Sequence, residues 1–246
     1  MVDRVIEMSM RAPTAGNMML YSILEVTDQS VKDKLAVSCD NQPFIATAPL
    51  VLLYAADYQR TYDYLIHSHV DRYCKKNGGE LTPPGLGDLM LAVNDALIAA
   101  QTAVIAGEVL GLGSCYIGDI MENYEYHRNL FSLPDYVFPA ALLCMGYPAD
   151  FYADKPPTNR FKPQYIHFKD TYRRLSSREY DDMYAFHSTH YRTEKGFAYN
   201  AENYGQYLFA KKYASEYAAE MNRSVKAAVK AWGAATKKGT EGRSNG

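Results

Sequence analysis

The residues best suited to chemistry fall in four short stretches. Ala12-Pro-Thr-Ala-Gly-Asn17 closes a helix and offers the hydroxyl of Thr14 and the amide of Asn17 beside Ala15. As bare sequence this is an ordinary turn, and its polar groups also suit a ligand's sugar or phosphate chain. Gly111-Leu-Gly-Ser-Cys-Tyr-Ile-Gly118 invites a nucleotide-loop reading. Its glycines follow a helix and precede a strand, the reverse of the dinucleotide fingerprint, so helix stop and strand is the plainer reading. Lys155 and Arg160 flank a Pro-rich loop; they are either solvated surface charges or a point charge and a planar fork holding a phosphate. His67/His69 and His187/His190 lack Asp, Glu or Cys at ligand spacing, so no metal centre is read from them. There is no nucleophile elbow, Walker loop or paired-carboxylate motif, and no acid–base catalyst is assigned.

These stretches are organised around residues 88–118. Asp88–Leu110 is apolar on most faces, with Asn94/Asp95, Gln101/Thr102 and Glu108 seven residues apart along one narrow stripe. It reads as a buried helix of roughly 35 Å, broken by too many polar groups for a membrane span. It stops at Gly111, and a short strand over 114–117 follows. Upstream, a helix ends near Arg11, 21–27 is a strand, and Asp28 caps a helix to about Cys39 with Val31 and Leu35 inward and Lys32 and Lys34 outward. The continuous apolar runs 49–56 and 138–145 read as strands buried on both faces. Residues 57–87 read as a helix and then a loop, 122–131 as a short helix, 165–168 as an edge strand and 202–232 as a long basic helix weakened at Gly205. No element is read over 169–197. The expectation is a single domain over 1–236 and a disordered tail over 237–246, which has no apolar anchor.

Composition narrows the class. The 246 residues are 48% hydrophobic and 22% charged with a net charge of −2, which gives nucleic acid no basic field to bind. Four cysteines form no close pair in sequence, and three sit in apolar stretches, as reduced thiols of a cytoplasmic protein do. Tyr is abundant at 22 residues, a type suited to half-buried faces and flat-ring pockets.

The order of six pieces adds what no single motif carries. Met8–Thr27, Asn41-Gln-Pro43, Pro49–Asp57, Asn94–Ile120, Leu142–Asp150 and the Lys155–Arg160 loop together resemble the FMN-dependent nitroreductase family, closest to its NADPH-linked flavin reductase branch. The resemblance covers roughly residues 5–168. It implies an α+β fold with a central mixed, mostly antiparallel sheet flanked by helices, and a homodimer joined through the long central helix. It implies bound FMN, NADPH or NADH as electron donor, and a nitroaromatic, quinone or flavin as small-molecule acceptor, with neither nucleic acid nor membrane as partner. By position, Thr14, Ala15 and Asn17 correspond to the turn that touches FMN, and Gln42 to a glutamine near the flavin ring. Tyr116, Ile117, Gly118 and Asp119 correspond to the segment along the isoalloxazine, and Lys155 and Arg160 to cations on the phosphate. The chain departs from the family at Met19, where a glutamine is common. It also begins inside what would be the second helix, without the family's Arg-Ser-x-Arg-type segment. The resemblance then implies either a shortened chain or a weaker phosphate site, each lost charge-assisted bond costing about 1.5–3 kcal/mol. Reductive dehalogenation, flavin destruction and a non-catalytic flavin-binding dimer are the alternatives on the same fold.

Overall fold

The computed structural model describes residues 1–149 and 156–241, with side chains through residue 234. The chain divides into two compact units, one comprising Met1–Pro148 with the C-terminal stretch from Glu220, the other Ala149–Ala219. The span read as one domain is thus a discontinuous unit with a second unit inserted.

The first unit is built on four strands, β1 (Tyr21–Glu25), β2 (Leu50–Asp57), β3 (Gly113–Ile117) and β4 (Val137–Gly146), in the order β1-β2-β4-β3. All three pairings are antiparallel among the described residues. Every residue of β2 is buried, which explains its unbroken apolar run in an antiparallel sheet: both faces are covered. Leu50, Leu52 and Tyr54 join Leu143 and Met145 beneath α6 (Leu86–Val109) and α1 (Val2–Ser9). Val51 and Leu53 alternate to the other side with Ile117, Leu142 and Cys144, against α2 (Gln29–Ser38) and α3 (Phe44–Thr47). The α+β architecture follows.

Helix α6 meets the sheet through small residues. Ala92, Ala96, Ala99, Ala100 and Ala103 are fully buried, and a Cβ on Gly107 would overlap the Met145 Cε methyl. Its large apolar residues point the other way: Met90, Leu91, Leu97, Ile98 and Ile105 are all exposed. Asn94, Gln101 and Glu108 lie on that outer face, whereas Asp95 turns inward and is 2% exposed.

Two further helices, α4 (Gln59–His67) and α5 (Val70–Lys76), occupy the polar Tyr-rich segment, and α7 (Tyr124–Leu130) precedes β4. Four expectations are corrected. Asp28 caps α2 by accepting the Ser30 N–H, but Lys32 lies inward, its ammonium donating to the Ala48 carbonyl at 3.0 Å. Its long stem is buried while its charge finds an acceptor, which an outward-lysine rule overlooks. Residues 163–165 form a 3₁₀ turn and not the start of an edge strand, consistent with Pro163 at its first position. The long helix expected over 202–232 is broken into α9 (Tyr204–Leu208), a π-turn over Phe209–Tyr213, and α10 (Glu216–Glu241). Helix α10 runs past the 236 boundary, so the tail expected from 237 is helical to Glu241; residues 242–246 lie outside the described residues.

The second unit contains α8 (Ser177–His190), opened by a reciprocal cap between Ser176 and Glu179, together with α9 and the π-turn. It carries a cluster of partly exposed rings in which His187 contacts Phe161, Tyr184 and Tyr204, and Tyr191 stacks on Tyr204 and Tyr207.

Candidate functional site

The turn after α1 is held from beneath by α6. Ala15–Asn17 is a 3₁₀ turn with Gly16 and Asn17 both in the left-handed region, at φ 55° and 57°. Glycine and asparagine are the residues that tolerate this conformation best. The buried Asp95 carboxylate accepts the Ala15 N–H at 2.9 Å through one oxygen and the Leu20 N–H at 3.1 Å through the other. Thr14 Oγ1 accepts the Met19 N–H at 3.3 Å, and the Arg60 guanidinium donates to the carbonyls of Met19 and Tyr21. Thr14, Ala15 and Asn17 are therefore presented on a braced loop. Asp95 and Arg60 brace this loop, a part that the sequence reading missed. For Asp95 a signal existed, a lone acidic residue among inward-facing alanines.

A second cluster forms where α2 ends and β3 turns out of the sheet. Gln42 Nε2 donates to the Cys39 carbonyl at 2.8 Å and to Asp119 Oδ2 at 3.0 Å. The structure thus joins two expected site residues, 77 positions apart, by a side-chain bond. β3 lies at one end of the sheet order, so its outer edge has no strand neighbour among the described residues. Tyr116 and Gly118 are exposed there while Ile117 is 1% exposed and anchors the strand. Tyr116 Oη donates to Gln101 on α6 at 3.5 Å, and partial burial pushes its phenol up to about 12. A Cβ on Gly118 would meet nothing within 4 Å. Packing within the chain therefore leaves that position open, and the bare backbone is free for something outside the chain to approach.

Both clusters belong to the first unit. Among the described residues no hydrogen bond links one to the other. Arg160 belongs to the second unit, where its guanidinium donates to Thr158 Oγ1 and to the Asn159 carbonyl. Lys155 lies outside the described residues.

Glu122 follows directly on the Gly118–Met121 3₁₀ turn, its N–H donating to the Asp119 carbonyl at 3.0 Å. It is 5% exposed, and its Oε1 has no hydrogen-bond partner. Burial, and then the carboxylates of Asp119, Asp40 and Glu220, push its pKa up to about 7. A carboxyl whose folded pKa exceeds its unfolded value withdraws stability as pH rises between the two. Glu122 thus costs little below about pH 4.5 and most above about pH 7, up to roughly 3 kcal/mol. Glu122→Gln, which keeps the shape without the charge, is expected to melt several degrees higher than the parent at pH 8 and alike at pH 4.5. Melting curves with the same pH dependence in both proteins would show that Glu122 is not the titrating group.

The nitroreductase family model matches residues 1–147. The FMN reductase (NAD(P)H) of Bacillus subtilis (strain 168) is 34% identical over 171 residues, covering 70% of this chain and 65% of the relative. The FMN reductase (NADPH) of the same strain is 30% identical over the same shares. The chain thus spans just under two thirds of the length of these relatives. Among solved structures, the hypothetical oxidoreductase YcnD from Bacillus subtilis superposes with a TM-score of 0.71 at 28% identity, over 92% of this chain and 87% of that one. NfrA2 of B. megaterium gives 0.70 at 28% identity, over 91% and 87%.

Proposed function

The chain belongs to the nitroreductase family, and on that premise we propose that it is an FMN-dependent NAD(P)H oxidoreductase that passes electrons to nitroaromatics, quinones or flavins. The observation that carries this reading is the open edge of β3, where the exposed Gly118 backbone stands beside the Gln42–Asp119 bond. FMN would be held there, and when bound it would supply the redox chemistry that links NAD(P)H to the acceptor. The protein's part is to bind and orient. The Gly118 N–H would be the donor to the ring edge, at a position where a Cβ would meet nothing within 4 Å, and Tyr116, Ile117 and Asp119 would keep the strand in line with it. Gln42, its amide nitrogen held by both the Cys39 carbonyl and Asp119, faces the ring with a set orientation. Thr14, Ala15 and Asn17 supply the braced turn.

The protein acts as a homodimer in the cytoplasm in this reading. Support comes from the outer face of α6: five large apolar side chains on one helix face, interspersed with Asn94, Gln101 and Glu108, make a patch of the kind that a second copy covers.

The purified protein is expected to be yellow, to sediment at twice the 27.7 kDa chain mass, and to oxidise NADPH faster when a nitroaromatic is added. Yellow protein without NAD(P)H turnover would identify a passive flavin binder. Colourless protein that takes up no added FMN would defeat the reading altogether.

A further inference from the structure

Cys115 and Cys144 are scattered in sequence but opposite each other in space. They are direct partners in the antiparallel register of β3 and β4. Residues so placed project from the same face, with Cα atoms about 4.5–5.5 Å apart. Disulfide-linked cysteines span about 4.4–6.8 Å, a range that includes the spacing of directly paired residues. Their solvent access differs: Cys115 is exposed, and Cys144 is 4% exposed, in the cluster that also holds Cys39. All four cysteines are free thiols.

We propose that Cys115 and Cys144 form an oxidant-modification site, in which a hydroperoxide converts the two thiols into a cross-strand disulfide. The exposed Cys115 sulfur attacks the O–O bond of hydrogen peroxide, becoming a sulfenic acid and releasing one water. The Cys144 sulfur then attacks the sulfenyl sulfur, forming the S–S bond and expelling a second water. Two thiols lose two electrons and two protons, and the peroxide is reduced to two waters. The roles follow from access, since only Cys115 can meet a solvent oxidant and Cys144 is positioned to resolve it. Burial first, and then the Asp119 carboxylate, raise the Cys115 thiol, and burial pushes Cys144 up to about 12. The reacting thiolate is therefore a minor species at neutral pH, and the site answers to sustained peroxide. Cys39 is fully buried and takes no part. The inference rests on strand register and exposure, and it is independent of whether the protein turns over NAD(P)H.

The test is a peptide map of the full chain after treatment with excess hydrogen peroxide and alkylation of the remaining thiols. The expected product is a single-chain species two hydrogens lighter, with the loss located to the linked 115 and 144 peptides. Its rate should rise about tenfold from pH 7 to pH 8, as the thiolate fraction does. In Cys115→Ser, a change at an exposed position, the linkage should vanish and Cys144 should still alkylate. The proposal is overturned if Cys115 ends as a sulfinic acid with Cys144 still a thiol. It is equally overturned if Cys115 links to a second copy of the chain, or if both thiols alkylate fully after the treatment.

Discussion

Asp95→Ala is expected to lower the stability of the protein by about 2–5 kcal/mol, because it leaves two backbone N–H groups without acceptors, each costing about 1–3 kcal/mol. For a chain of this size that is a fall of roughly 5–15 °C in melting temperature. The loss is local in origin. Asp95 is the tie between the buried side of α6 and both ends of the loop that carries Thr14 and Asn17, so the variant should also hold FMN more weakly. Asp95→Asn keeps one acceptor and should recover part of the loss. Melting followed by circular dichroism decides the point: an alanine variant within 2 °C of the parent would mean that water or relaxed backbone satisfies both N–H groups.

The second large effect is expected at Trp232, the one tryptophan of the chain. It is 2% exposed on α10, its ring meets Tyr136 edge-on at 5.3 Å, and Tyr136 meets Tyr62 of α4 in the same way. Its indole N–H donates to the carbonyls of Pro84 and Gly85, the residues that lead into α6. Trp232→Ala should cost about 3–5 kcal/mol, the usual range for deleting a buried large aromatic side chain. Trp232→Phe keeps most of the ring packing and drops the N–H, so it should cost about 1–2 kcal/mol. Urea titrations of the three proteins separate the contributions. Equal midpoints for Ala and Phe would place the whole effect in the hydrogen bonds and none in the packing.

The four strands and α6 were legible because their signals are local. Unbroken apolar runs, a glycine stop and an aspartate cap each act within a few residues. The six-piece order made the family legible, and the structure bonds two of the residues it pointed to, Gln42 and Asp119. What was missed depends on the third dimension. Nothing near Asp95 in sequence tells that its carboxylate meets the Ala15 and Leu20 amides. Lys32 reads as surface until the Ala48 carbonyl is brought to its ammonium. The second unit was obscure because its contacts are made by half-buried Tyr, Phe and His rings, which give no aliphatic periodicity. One cue there was available and passed over: Ser176 three residues before Glu179, the spacing of a reciprocal helix cap.

The discontinuity of the first unit has a consequence in time. Its last piece, the part of α10 that carries Trp232, is separated from β4 by the 71 residues of Ala149–Ala219. A ribosome adding roughly 5–20 residues per second takes about 4–14 s to cross that insertion. For that interval the nascent sheet and α6 are complete but Tyr136 and the Pro84–Gly85 carbonyls have no indole to cover them. Biogenesis of the first unit therefore closes from its C-terminal side, and a translational pause within the insertion would prolong the exposure of an aromatic groove to chaperones and to other nascent chains.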